Sequence, residues 1–125
     1  MRNAVNWFEI PVTDFSRAKK FYETILACTL HEQQMGPYQM GFFPADTGAA
    51  SGAIVLGEGY APSQTGTLVY LNADGILDDV LGRIEKAGGK IVTPKMLVNE
   101  DIGHVATFND SEGNRMALHA PNRNK

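Results

Sequence analysis

A chain of 125 residues with 43% hydrophobic and 20% charged residues is long enough for one well-buried domain and too short for two independent ones. Its net charge of −3, with the basic residues spread along the chain, argues against a nucleic-acid surface, and no apolar run reaches the ~18 residues of a membrane span. Met1-Arg2-Asn3-Ala4 leads directly into a strand-like stretch without the apolar core of a secretory signal. The lone Cys28 has no partner for an internal disulfide, so a cytoplasmic protein is expected.

The first element is a strand over residues 5–12. Val, Trp, Phe and Ile favour extended backbone there, and alternation sets Phe8 and Ile10 on one face, Trp7 and Glu9 on the other. Asp14 is placed to cap the helix that follows. Phe15, Ala18, Phe21, Tyr22, Ile25 and Leu26 recur in it at helical spacing, while Arg17, Lys19, Lys20 and Glu23 fall on the solvated side. Three short strands come next, at 28–34, 38–44 and 52–56, and the stretch Gln33-Gln34-Met35-Gly36-Pro37-Tyr38-Gln39-Met40 either frames a pocket mouth or forms an ordinary hairpin. Gly57-Glu58-Gly59-Tyr60-Ala61-Pro62 then reads as a connection. The chain starts again with Val69-Tyr70-Leu71-Asn72-Ala73 and a second amphipathic helix, with Leu77, Val80, Leu81 and Ile84 inward, that stops at Gly88-Gly89. Strands at 90–93, 103–109 and 115–119 complete it, the last two joined by the turn Asp110-Ser111-Glu112-Gly113-Asn114. The connection and the tail Asn122-Arg123-Asn124-Lys125 are the expected flexible segments.

The two halves are one pattern written twice. Phe8-Glu9-Ile10-Pro11-Val12 before the first helix is echoed by Val69-Tyr70-Leu71-Asn72-Ala73 before the second, and Phe42-Phe43 by Thr107-Phe108. The predicted fold is α+β, a single domain over residues 1–125. Repeat one covers about 4–57 and repeat two about 65–121. Two βαβββ repeats form a curved mixed sheet around a pocket, with the helices on the outside. No Gly-rich phosphate fingerprint follows the first strand, and the junction of the halves is the place to seek function.

Glu9-Ile10-Pro11-Val12-Thr13-Asp14 followed by Arg17-Ala18 and Phe21-Tyr22, with Asp110-Ser111-Glu112-Gly113-Asn114-Arg115-Met116, resembles the vicinal oxygen chelate superfamily. That group holds glyoxalases, extradiol dioxygenases and fosfomycin- and bleomycin-resistance proteins. The resemblance spans essentially the whole chain and implies a pocketed sheet, commonly in a homodimer. In the metal enzymes it implies a divalent cation held by His, Gln or Glu on the first and last strands of each unit, where it chelates two substrate oxygens as a Lewis acid. The corresponding positions here fall on Trp7, Leu68 and Ala117, and on Ile54 in the fourth strand. None of these side chains can coordinate a divalent ion, so no cofactor is expected. The alternative is a divalent metal on replacement ligands, because Glu9 and His119 lie two residues from Trp7 and Ala117 and share their faces by alternation.

Glu9 is costly to leave unpaired in a pocket beside Trp7. It either bonds His119, Arg115, Tyr70 or backbone amides and fixes the pocket's shape, or acts as a general base or ligand anchor. His119 supports either reading, as partner or as proton shuttle. Trp7 and Tyr70 offer flat walls to a planar ligand. Arg115 shares the alternating face of Ala117 and His119, and Asn72 follows Tyr70 on its own face. His31, His104 and Cys28 read as ordinary structural or surface residues. The expected function is a glyoxalase/bleomycin-resistance-like protein that binds a small organic molecule between the repeats through Trp7, Glu9, Tyr70, Asn72, Arg115, Ala117 and His119, without the usual metal. The alternative is a metal-dependent glyoxalase-like lyase, isomerase or dioxygenase, and in an enzyme Glu9 and His119 are the catalytic candidates. A homodimer with neither nucleic-acid nor membrane partner is expected.

Overall fold

The computed structural model describes residues 3–122. The expectations for Met1-Arg2 and for Arg123-Asn124-Lys125 lie outside the described residues. Repeat one runs β1 (Trp7–Pro11), α1 (Phe15–Leu26), β2 (His31–Met35), β3 (Tyr38–Phe42) and β4 (Ser51–Leu56); repeat two runs β5 (Tyr70–Asn72), α2 (Leu77–Ala87), β6 (Lys90–Asn99), β7 (Gly103–Asn109) and β8 (Arg115–Ala120). The α+β pair of βαβββ repeats therefore forms as expected, as two four-stranded mixed sheets of order β1-β4-β3-β2 (sheet A) and β5-β8-β7-β6 (sheet B). In each, the first strand pairs in parallel with the last and the rest is antiparallel. A helix crossover between parallel neighbours is what makes this pairing possible.

Asp14 caps α1 by accepting from the Arg17 amide at 3.0 Å, and α2 ends at Gly88, whose φ of 110° is open to glycine at little cost. One face of each sheet and both helices bury a single core, in which Ile10, Val12 and Ile54 from sheet A meet Ala106, Phe108, Met116 and Leu118 from sheet B around Phe21, Tyr22, Ile25, Val80 and Ile84. The Arg83 guanidinium also reaches the Ile25 carbonyl at 3.3 Å, tying α2 to the end of α1. The repeats therefore share their stability, and the opposite face of each sheet is left open.

A second tie runs between the ends of the chain. The Glu112 carboxylate, whose side chain has no solvent exposure, accepts from the Thr13 and Asp14 amides at 2.9 and 2.8 Å, from Thr13 Oγ1, from Arg17 Nε at 2.7 Å and from Ser111 Oγ. The Thr13 and Asp14 amides among them lie at the start of α1, where backbone donors have no intrahelical partner. Beside it, buried Asp110 accepts from the Tyr22 hydroxyl at 2.6 Å and from the Asn114 amide at 2.8 Å. Asn114 in turn donates to the Pro11 carbonyl and accepts from the Ser63 amide. The turn 110–114 thus holds β1, α1 and the connection in register with repeat two.

Two sequence expectations are corrected here. The strand expected to stop at Thr93 continues through Pro94 to Asn99, because β6 is an edge strand with register shifts between Thr93 and Met96, where a missing N–H costs no ladder bond. Ile54 pairs with Ile10 and faces the core, so the fourth-strand residue on the open face opposite Glu9 is Ala53.

Candidate functional site

Alternation along β1 puts Trp7 and Glu9 on the open face of sheet A, as read from the sequence. Across the strands from Glu9 come Ala53, then Phe42, then His31; across from Pro11 come Val55, Met40 and Gln33. The β2–β3 segment is the ordinary hairpin of the two readings. Tyr60, carried on the connection, folds back over this face with Tyr38, Met40, Ala53 and Val55. Its hydroxyl donates to Glu9 Oε1 at 2.5 Å, while the Trp7 indole N–H donates to Glu9 Oε2 at 3.3 Å. The hydrogen bond to Glu9, with a smaller contribution from burial, raises the Tyr60 phenol above its ordinary pKa. Trp7 lies against Phe42 with ring centroids 5.8 Å apart and 52° between planes, and Tyr38 against Tyr60 at 5.4 Å and 71°. Glu9 is therefore framed by rings, and its hydrogen-bond partners are Tyr60 and Trp7 instead of His119, Arg115 or Tyr70.

On sheet B the open face carries Tyr70, Ala117 and Thr107 in one row and Asn72, His119 and Val105 in the next. His119 Nε2 lies 2.7 Å from the Ile102 carbonyl, and Asn72 Oδ1 accepts from the Asp74 amide at 2.9 Å, so both are partly engaged in shaping their own loops. Thr107 Oγ1, beside Ala117, and Asn109 Oδ1, beside Arg115, are buried without a hydrogen-bond partner. Such atoms are scarce in folded proteins.

The seven expected residues do not converge on one cavity within the chain. Glu9 and Arg115 line a cavity of about 160 Å³ between β1, the connection and β8, together with Gln64, Thr65, Thr67 and Leu68. Tyr70, Asn72 and His119 edge a wider hollow of about 540 Å³ with Ile102. Trp7 lines neither and is 45% exposed, Tyr70 is 50% exposed, and Ala117 is fully covered. Tyr60 and Phe42 were not among the expected residues. An aromatic side chain inside a glycine-rich connection, and a ring two residues from Met40 on its strand, were the signals available for them.

The family model described as the glyoxalase/bleomycin resistance protein/dioxygenase superfamily matches residues 4–118. The chain belongs to this superfamily. A glyoxalase/bleomycin resistance protein from Albidiferax ferrireducens superposes with a TM-score of 0.71 at 16% identity, covering 94% of this chain and 99% of that one. TnmS3, an antibiotic binding protein from a Streptomyces species, gives 0.67 at 25% identity over 97% and 98% of the two chains. A glyoxalase I variant from Zea mays gives 0.66 at 19% identity, with 91% of this chain matching 44% of the maize protein. No curated protein matches the chain.

Metal-dependent members of the superfamily need lone pairs at the ends of the paired parallel strands. Here the open-face pairs of the parallel strands are Trp7 with Ser51, Glu9 with Ala53 and Pro11 with Val55 on sheet A, and Tyr70 with Ala117 and Asn72 with His119 on sheet B. Among the described residues no three of His, Cys, Asp and Glu come together in a way that could hold a metal ion. Glu9 and His119, the replacement ligands of the alternative reading, lie on different sheets of the chain. The residues of one chain do not fit a divalent site of the superfamily type. Among the described residues no helix is long and apolar enough to cross a membrane.

Proposed function

We propose that this superfamily member is a cytoplasmic small-molecule binder that works without a divalent metal, with its ligand seated on the open sheet faces. The observation that carries the reading is the set of rings gathered around Glu9 on sheet A, where Trp7 and Phe42 offer apolar planes and indole and alanine groups stand at the metal-ligand positions. An aromatic plane half-exposed to water gains by being covered. Tyr70 provides a second plane on sheet B, and the unpartnered Thr107 and Asn109 oxygens provide polar anchors there. The antibiotic-binding activity of TnmS3, similar over nearly the whole chain, supports a binding role. Arg115, Asn72, Ala117 and His119 complete the proposed lining, and catalysis by Glu9 and His119 is not required by it.

We assign a second copy of the chain to the remainder of the open faces, making the working form a homodimer. Met35 on sheet A and Met96 and Ile102 on or beside sheet B, outside the ring set proposed for the ligand, are large apolar side chains about half exposed in the single chain. Sedimentation should show a dimer at micromolar concentration; a monomer at that concentration would sink that assignment.

Native mass spectrometry of freshly purified protein should reveal an organic ligand. Elemental analysis after incubation with Zn, Ni, Mn and Fe salts should find metal well below one ion per chain. One tightly held ion per chain, lost in Glu9→Gln and in His119→Ala, would restore the metal-dependent lyase, isomerase or dioxygenase reading.

A further inference from the structure

Glu9 is a carboxylate on an otherwise apolar and aromatic face. Its row across sheet A is Ala53, Phe42 and His31, and the next row is Pro11, Val55, Met40 and Gln33. Among the described residues no Lys, Arg or His nitrogen lies within ion-pairing distance of it, and Arg115, which lines the same cavity, makes no ion pair with it. His31 stands at the far edge of the row, its ring against Phe42 at 6.3 Å and 26°, and makes no ion pair with Glu9. Each Glu9 oxygen takes one donor, from Tyr60 and from Trp7. An ionised carboxylate offers about four acceptor sites, so about half its capacity is open.

The two donors are rigid ring groups, so the exposed carboxylate is fixed in direction. Trp7 with Phe42, and Tyr60 with Tyr38, place ring pairs around it. The Trp7 N–H and the Tyr60 O–H lie in their ring planes, so both rings meet Glu9 by their edges, and the faces that carry negative quadrupole potential are turned to the side of the carboxylate. A strongly hydrated small cation gains little from rings, since it keeps its water. A bulky, weakly hydrated cation exchanges its thin hydration for aromatic contact and still meets its counter-charge.

We infer that the part of the ligand seated on sheet A is an organic cation, an alkylated or quaternary ammonium group held by Glu9 within the ring set of Trp7, Phe42 and Tyr60. This rests on the small-molecule-binding reading above and deepens it by naming the ligand's charge. Glu9 is the ligand's counter-ion, and Trp7 and Tyr60 both orient that counter-ion and touch the cation.

Trp7 is the chain's single tryptophan, so its emission reports this face directly. The 125-residue chain is titrated with choline and, separately, with the uncharged carbon isostere in which a tert-butyl group replaces the trimethylammonium. Choline is expected to shift Trp7 emission saturably and to bind about tenfold more tightly than the isostere, a ratio within the range of a desolvated cation–π contact. Glu9→Gln should remove most of the ratio while leaving isostere affinity unchanged, and unaltered near-ultraviolet circular dichroism shows that the variant folds. Tyr60→Phe should weaken choline less than Glu9→Gln does, since it keeps the ring and loses only the orienting hydroxyl. Equal affinity for the two probes, or choline binding indifferent to Glu9→Gln, overturns the inference while leaving the binder reading standing. If neither probe moves Trp7 the inference also fails, and the binder reading is then judged separately by the co-purified ligand.

Discussion

Glu112→Ala is expected to lose about 2–3 kcal/mol of folding stability, the upper part of the range for removing a covered charged acceptor from its hydrogen-bond donors, because Arg17 is half exposed and can turn to water. The variant leaves the Thr13 and Asp14 amides and the Arg17 guanidinium without the oxygens they now share. A typical domain has only about 5–15 kcal/mol in hand, so the urea midpoint should fall by a large fraction of its value. The same carboxylate makes stability depend on pH. Burial pushes its pKa up, and hydrogen bonds from Arg17, Asp14, Thr13 and Ser111 outweigh that and hold it down at about 2. A folded-state pKa below the unfolded one means the stabilisation is complete above the ordinary carboxylate range and is lost as pH falls toward the folded value. Wild-type stability should therefore drop by roughly 3 kcal/mol between about pH 5 and pH 2, and Glu112→Gln should flatten that slope. A wild-type urea midpoint that is level across this window would show that the turn is not bearing load.

Phe21→Ala should cost about 3–5 kcal/mol, as buried phenylalanine truncations do. The ring is 1% exposed and touches both repeats, edge-on to Tyr22 at 5.0 Å within α1 and 6.2 Å from Phe108 on β7. It also fills the space over Gly89, where any side chain would meet it. Little nearby can collapse into the gap, since sheet strands wall it on one side and a helix on the other. Because this core is common to both halves, wild type and variant should each unfold in one transition, with circular dichroism and Trp7 fluorescence tracing the same curve. Trp7 sits in repeat one and α2 in repeat two, so two separated curves would contradict a shared core.

Much of this architecture was legible in the residues. The apolar spacing of Phe15, Ala18, Phe21, Tyr22, Ile25 and Leu26 marked the buried stripe of α1; the first five are buried and Leu26, at the helix end, is partly so. Alternation in β1 placed Trp7 and Glu9 correctly on one face. The face of β4 was not legible, because Ser51-Gly52-Ala53-Ile54-Val55-Leu56 has no change of polarity from residue to residue, and the parity slipped by one onto Ile54. The site was harder still. Tyr60 reaches Glu9 from 51 positions away and Glu112 reaches Asp14 from 98, and such pairings follow from tertiary closure that no local pattern encodes. The reach of β6 past Pro94 was hidden for a related reason: a proline forbids a central strand, and only the topology reveals that this strand lies at an edge.

That proline also has a bearing on solubility. β6 is the longest strand, and Val92, Met96, Leu97 and Val98 on it are about half exposed. A flat ribbon of that composition, open along one side, is a template for runaway strand addition and fibril growth. Pro94 offers no amide to an incoming chain, the offsets around it twist the ribbon, and Lys95 next to it carries a charge that an added strand would have to bury. The irregular stretch around Pro94 opposes polymerisation at an edge where the apolar side chains of β6 stand half exposed.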